Sequence, residues 1–158
     1  MGSLILAACN NSPNQTTSTT KQPIKENTMT YPVKHISISI NKPAEEVYQF
    51  ASNPENFPKW IAFIKSMTKQ GEFWIGKTDL GDIKIKFTPP NDFGIIDHQV
   101  TLASGVTVNN PMRAVANNEG CEFTFTLFWM PGRTEKEFNE DAKAVSADLQ
   151  KLKEILEH

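Results

Sequence analysis

Hydrophobic and polar residues alternate strictly over a short run near the middle of the chain. Ile83, Ile85 and Phe87 alternate with two lysines, which predicts a strand with apolar side chains toward a core and lysines toward water. Two prolines, beginning at Pro89, end this strand because proline cannot donate to a sheet ladder. The residues from Ile83 to Trp129 predict three successive antiparallel hairpins.

The first two hairpins place a histidine on the apolar face. A four-residue loop pairs Thr88 with Phe93, and alternation along the next strand turns His98 inward. A two-residue turn then pairs Ala103 with Val106 and carries the same face forward. A histidine there is either a core residue with satisfied ring nitrogens or a functional group.

The third hairpin decides the direction of an arginine. Gly in fourth place over residues 117–120 favours a type I turn followed by a bulge, which sets Arg113 opposite Phe125 on the inward face. A two-residue turn is the alternative, and it would turn Met112 inward and Arg113 outward. We expect the inward arginine, whose permanent charge would need an anionic partner or ligand.

One long helix follows the hairpins. Thr134 and Glu137 form a capping box, which predicts the helix start. The apolar stripe behind it repeats at alternating spacings of four and three residues: Phe138, Ala142, Val145, Leu149, Leu152 and Leu156.

A strand and two short helices precede the hairpins. Alternation from His35 to Ile40 predicts a first strand with His35 exposed, and Pro43 and Pro54 open the two helices. The predicted class is therefore α+β.

Composition adds few constraints. The 158 residues are 39% hydrophobic and 22% charged, which suits one globular domain, and a net charge of −2 gives no reason to expect nucleic acid. No apolar run approaches the length of a membrane span. The sequence contains no metal-binding motif and no phosphate-binding loop, so we expect no metal and no cofactor.

The N-terminal residues differ from the rest. Residues 10–30 are dominated by polar residues and predict a disordered tether. Leu6 to Cys9 resembles a bacterial lipobox, whose cysteine receives a lipid, so residues 1–30 are interpreted as a truncated lipoprotein signal and tether. This predicts a cell-envelope lipoprotein attached to a membrane through Cys9. The alternative is a cytoplasmic protein that starts at Met29.

The remaining features set the domain limits and the role of the second cysteine. Residues 31–158 form the predicted domain, of which 157–158 resemble the remnant of a histidine tag. Cys121 lies on the inward register as a small buried hydrophobe, with no base nearby to make it a nucleophile. We expect no disulfide framework.

Four segments carry a resemblance to a known superfamily. They are residues 42–48, residues 53–60, residues 91–98 and the tripeptide Pro111-Met112-Arg113. With the order of elements, residues 33–156 resemble the START-like (SRPBCC) superfamily, which includes polyketide cyclase/dehydratase and pollen-allergen families. The resemblance implies a helix-grip fold: a curved antiparallel sheet of about six strands wrapped around the long C-terminal helix, with two short helices after the first strand. It also implies an internal cavity for an apolar ligand.

The candidate site follows from that cavity. Its expected walls are Trp60, Phe63, Trp74, Phe87, Phe125, Phe138 and Val145, each of which a plain core explains equally well. His98 and Arg113 are the polar candidates, for ligand binding or for catalysis.

Three functions remain open at this level. We favour binding or carriage of a small hydrophobic molecule, which an inward Arg113 would allow to be acidic. A cyclase or dehydratase would use His98 and Arg113 to move a proton and polarise a carbonyl, but no inward carboxylate orients the histidine. A protein-interaction module would instead have a filled core and an exposed apolar patch. We expect a monomer or weak dimer.

Overall fold

The computed structural model describes residues 29–158, and the predicted α+β class is confirmed. The predicted tether and Cys9 lie outside the described residues. The elements in chain order are β1 Val33–Ile40, α1 Ala44–Ala51, a 3-10 turn Pro54–Asn56, α2 Phe57–Trp60, β2 Ser66–Gln70, β3 Phe73–Thr78, β4 Gly81–Phe87, β5 His98–Thr101, β6 Thr107–Asn110, β7 Met112–Asn117, β8 Gly120–Phe128 and α3 Glu135–Glu157. None of the helices in this range is long and apolar enough to cross a membrane.

The strands form two antiparallel sheets that meet at a proline. One sheet has the order β1-β8-β7 and the other the order β2-β3-β4-β5-β6. Pro111 separates β6 from β7, since it has no N–H to continue the ladder. Beyond it, Ile95 forms a bridge to Arg113, and the Ile96 N–H donates to Met112 O at 3.0 Å. The two sheets therefore continue into one another as a curved surface, with eight strands where the sequence predicts about six.

Helix α3 packs against the inner face of the first sheet. The predicted capping box is present, since the Glu137 N–H donates to Thr134 Oγ1 at 3.2 Å and the Thr134 N–H donates to Glu137 Oε2 at 2.7 Å. Leu149 and Leu152 are buried in the core, as the apolar stripe predicts. At its C-terminal end the helix contacts the end of β1, where Lys153 Nζ donates to Ser39 O at 2.6 Å.

The first predicted hairpin register is wrong, although its consequence for His98 is right. Phe87 pairs with His98, so the residues after β4 form a longer loop than the expected pairing of Thr88 with Phe93. The reason is that residues 94–96 pair with β7, and the chain returns to β4 only at His98. The register differs by an even number of residues, so His98 still faces inward and is 7% exposed.

The next two registers each differ by one residue from the prediction. The Leu102 N–H donates to Val106 O at 2.8 Å, which closes a three-residue loop with a left-handed glycine in place of the expected two-residue turn. Asn117 pairs directly with Gly120, and Asn118 takes a φ of 53°, which a two-residue hairpin turn requires. The expected bulge is therefore absent.

The tight third hairpin reverses the direction of Arg113. Met112, not Arg113, lies opposite Phe125 and is 1% exposed. The prediction of an inward Arg113 is wrong, because the two-residue turn moves its side chain to the outer face.

The loop between β4 and β5 is organised by one side chain. Asn91 Oδ1 accepts the N–H groups of Phe93 at 3.0 Å and Ile95 at 3.1 Å, and its own N–H donates to Tyr48 Oη at 2.8 Å. Phe93 is 80% exposed at the tip of this loop.

Gly94 follows Phe93 with a φ of +68°, and a Cβ there would lie 2.1 Å from Ala114 O. Only glycine fits this close approach of two backbone segments.

Candidate functional site

The interior behind the sheet is lined by a cluster of aromatic side chains. Trp60, at the end of α2, is 3% exposed and packs edge-on against Phe57, with ring centroids 5.4 Å apart. Its ring also meets Phe123 of β8 at 6.3 Å. Helical spacing explains the first pair, because residues three apart on a helix share a face. The indole Nε1 of Trp60 is buried and has no hydrogen-bond partner among residues 29–158.

His98 extends this cluster toward the second sheet. Its ring lies 5.2 Å from the Phe87 ring and 5.7 Å from the Phe57 ring. Nδ1 lies 3.2 Å from Ile96 O, and Nε2 lies 3.4 Å from Asn110 Nδ2. Since an amide nitrogen can only donate, Nε2 accepts and Nδ1 carries the proton that is donated to Ile96.

Burial fixes the charge of this histidine. Removal from water lowers the pKa of His98 to about 4, and the hydrogen bond to Ile96 and the nearby Asp97 only partly offset that effect. The ring is neutral near pH 7 and both of its nitrogens are occupied. This is the arrangement of a satisfied core histidine.

Several other predicted wall residues are only half-buried, although their backbones place them on the inner face. Trp74 lies beside the buried Ile85 in the second sheet, and Phe125 lies opposite the buried Met112 in the first. Four predicted wall residues pack against the core yet keep part of their surface accessible: Phe63, Trp74, Phe125 and Val145. The interior is therefore not completely closed on these sides.

Phe138 does not join the predicted wall. It is buried in the first turns of α3, where it stacks on Trp129 with centroids 5.2 Å apart and an interplanar angle of 15°. Lys34 Nζ lies over the same ring at 4.9 Å. Phe138 thus belongs to a separate contact between the helix start and the end of β8.

Arg113 lies on the outer face, paired with a carboxylate. Its Nη1 donates to Asp97 Oδ1 and, at 2.8 Å, to Met112 O. Asp97 Oδ1 also accepts the Met112 N–H at 3.0 Å, so this carboxylate both neutralises the arginine and fixes the start of β7. Asp97 and Arg113 both face outward, so the pair forms on the outer side of the sheet.

An open cleft of about 440 Å³ lies next to this ion pair, at one end of the second sheet. Register places Lys86, Gln99 and Asn109 side by side on the outer face of three neighbouring strands. The full lining is Lys86, Phe87, Thr88, Pro89, Asp97, His98, Gln99, Asn109, Asn110 and Pro111. Of the predicted site residues, only Phe87 and His98 contribute to it.

A carboxylate on α3 was missed by sequence reasoning. Asp148 Oδ1 accepts the Ala62 N–H at 3.0 Å and ties the helix to the loop after α2. Burial raises the pKa of Asp148 to about 6, although the hydrogen bond from Ala62 opposes the rise. The signal was its spacing: Asp148 lies three residues after Val145 and four before Leu152, which puts it at the edge of the apolar stripe.

Cys121 and metal ligands complete the chemical groups. Cys121 is 1% exposed, and burial raises the pKa of its thiol, as expected for a core residue rather than a nucleophile. Within residues 29–158, no three His, Cys, Asp or Glu side chains group closely enough to hold a metal ion.

Comparison with known proteins identifies the fold. No family model matches the sequence, and no curated protein matches it significantly. Among solved structures, the protein XoxI from Bacillus cereus is similar with a TM-score of 0.65 at 15% identity, over 78% of this chain and 94% of that one. A START superfamily protein from Mycobacterium smegmatis is similar with a TM-score of 0.62 at 10% identity, over 79% of this chain and 97% of that one.

A third similar structure comes from a biosynthetic locus. A protein of the dynemicin biosynthetic locus gives a TM-score of 0.62 at 16% identity, over 79% of this chain and 47% of that one. These likenesses establish that the chain has a START-like helix-grip fold. Fold alone leaves the choice between binding and catalysis to the site.

Proposed function

We propose that the protein binds a small hydrophobic molecule between the inner face of its curved sheet and helix α3. The observation that carries this proposal is the partial exposure of inward-facing apolar side chains such as Trp74, Phe125 and Val145. In a fully closed core these positions would be buried as completely as Ile85 or Phe123. Their accessible apolar surface is what a hydrophobic ligand would cover.

The state of His98 favours binding over cyclase or dehydratase chemistry. A general acid or base needs a pKa near the working pH and a free nitrogen within reach of the substrate. His98 has a pKa of about 4, and its two nitrogens are held by Ile96 and Asn110. Arg113, the expected partner in polarising a carbonyl, is on the opposite face with Asp97.

The interaction-module alternative gains little from the exposed apolar residues. Leu80 and Val106 lie in the turns at one end of the second sheet, whereas Phe93 lies in the loop at the other end. They do not form one continuous patch of the kind that marks a large protein interface.

Trp74→Ala and Arg113→Met should separate an interior site from an outer one. We expect Trp74→Ala to weaken ligand binding about tenfold or more, because it removes a large apolar contact from the inner face. Arg113→Met should leave binding unchanged, since that side chain lies on the outer face. The measurement is calorimetric titration of both variants and wild type with fatty acids, phenolic acids and polyketide-like ketones, alongside turnover assays on the ketones.

The two variants have opposite outcomes under the competing views. Loss of binding in Arg113→Met with normal binding in Trp74→Ala would move the site to the outer cleft beside Asp97. Turnover of a ketone by wild type that His98→Gln abolishes would establish an enzyme in place of a binding protein.

We also propose that the protein is attached to a membrane through a lipid on Cys9. The support is the lipobox-like segment Leu6 to Cys9, followed directly by a polar stretch. We expect the chain expressed from its own gene in its native host to partition into detergent, and Cys9→Ser to move it into the aqueous phase. Cys121→Ser is the matched control and should not change the partition. Equal aqueous fractions for wild type and Cys9→Ser would favour a cytoplasmic protein that starts at Met29.

A further inference from the structure

We infer that the ligand is uncharged and presents a hydrogen-bond acceptor, such as a carbonyl oxygen, to Nε1 of Trp60. This inference rests on the proposed function and narrows its ligand class. Its starting point is the buried indole N–H of Trp60, which has no partner in the described structure.

An unpartnered buried donor is costly, and this one has a well-defined setting. Trp60 is 3% exposed and held by edge-on contacts with Phe57 and Phe123, so the ring cannot turn its N–H toward bulk water. Buried polar groups in proteins are almost always hydrogen-bonded. A ligand atom that accepts from this N–H therefore contributes more binding free energy than a hydrogen bond between two neutral, solvated partners.

The surroundings place the Trp60 ring beside the proposed ligand site. Because protein atoms close off its Nε1, the ligand must shift neighbouring side chains to reach the N–H. Phe123, which touches Trp60, is followed two residues later on the same face of β8 by the half-buried Phe125. Phe63, also half-buried, follows Trp60 closely in the chain. A hydrophobic molecule that covers Phe63 and Phe125 would lie next to the Trp60 ring.

The interior offers nothing that would hold a negative charge. Among residues 29–158, His98 is the single fully buried polar or charged residue, and its nitrogens are already bonded to Ile96 and Asn110. The partly buried Asp148, which accepts the Ala62 N–H, is itself an acid and supplies no cation. Arg113 and Asp97 neutralise each other on the outer face. A carboxylate ligand would lose its hydration without meeting a cation, so an uncharged acceptor fits better.

The test uses three naphthalenes substituted at the same ring position: acetylnaphthalene, ethylnaphthalene and naphthoate. For wild type we expect acetylnaphthalene to bind about tenfold more tightly than ethylnaphthalene, with naphthoate weakest. Trp60→Phe keeps an aromatic ring but removes the N–H, so it should bind the acetyl and ethyl compounds equally. Trp129→Phe is the control and should keep the preference, because Trp129 Nε1 already donates to Arg133 O at 2.8 Å.

A spectroscopic measurement keeps the test independent of how well Trp60→Phe folds. In wild type, the indole N–H resonance of Trp60 should move downfield with acetylnaphthalene and stay in place with ethylnaphthalene. An equal preference in wild type and Trp60→Phe, or a resonance that ignores the ketone, would overturn the inference while leaving hydrophobic binding intact. Failure of all three compounds to bind wild type would defeat the proposed function itself.

Discussion

Gly94→Ala should destabilise the domain by about 2–5 kcal/mol, a large fraction of the stability of a typical domain. Two causes add. The φ of +68° is unfavourable for any residue with a Cβ, and the Cβ would lie 2.1 Å from Ala114 O. That oxygen belongs to the backbone of β7, so relief requires moving the strand or the loop that Asn91 holds.

Gly105→Ala separates the two causes. Gly105 has a φ of +85°, yet a Cβ there would meet no atom within 4 Å. It should therefore lose only the backbone contribution, about 1–2 kcal/mol. Urea unfolding of both variants measures the difference. Equal losses would mean that the close approach between Gly94 and Ala114 contributes nothing to stability.

The second large effect is a pH dependence in which two buried groups oppose each other. The folded-state pKa of His98 is about 4, below its ordinary value of 6.5, so the unfolded chain binds more protons between these limits. The contribution of His98 to the free energy of unfolding is fully present above pH 6.5 and is lost as the pH falls toward 4. The full loss is about 3 kcal/mol.

Asp148 acts in the opposite direction. Its folded-state pKa is about 6, above the ordinary 3.8, so the folded chain binds more protons in this range. Its contribution is present at pH below 3.8 and is lost as the pH rises through 6. Because the carboxyl is partly solvated, we expect about 1–2 kcal/mol.

Asp148→Asn and His98→Gln should therefore change the acid response in opposite senses. Between pH 6.5 and 4.5, Asp148→Asn should lose stability more steeply than wild type, because the opposing contribution of Asp148 is removed. His98→Gln should gain stability on acidification relative to wild type, because the opposing contribution of His98 is removed. The measurement is urea unfolding of both variants at several pH values. Parallel pH profiles for wild type and both variants would contradict these assignments.

Local chemistry in the sequence predicted the elements well. The capping box at Thr134, the apolar stripe through Leu149 and the alternation ending at Ile40 each depend on residues close in sequence, and each is present. Such signals are independent of what the rest of the chain does. Fold class followed from their order.

The registers failed where the partner lies far away in sequence. After β4 the chain leaves its neighbour to pair with β7, and no local signal marks that exchange. The second and third hairpins each slipped by one residue, so the two errors cancelled by β8 and left Phe125 correctly inward. Strand β7 lies between these two hairpins and carries only one of the two errors, so Arg113 was placed on the wrong face.

Prediction of the candidate site was limited in the same way, because contacts between residues far apart in sequence leave no local signal. The inward positions of Trp60 and His98 were predicted correctly. Trp60 follows from local pattern, and His98 follows because the register error was an even number of residues. The hydrogen-bond state of His98 could not be found, because it depends on Asn110 across the neighbouring strand. Phe138 lies on the predicted stripe, yet it stacks on Trp129 at the start of the helix.

The pairing of β1 with β8 has a consequence for how the chain is made. Val33–Ile40 finds its partner in Gly120–Phe128, and α3, which follows β8, covers its inner face. During synthesis the early strand must wait, with Ile36, Ile38 and Ile40 unprotected, until nearly the whole chain has left the ribosome. The first sheet can therefore close only as the last strand and helix emerge, so β1 remains unpaired for most of synthesis.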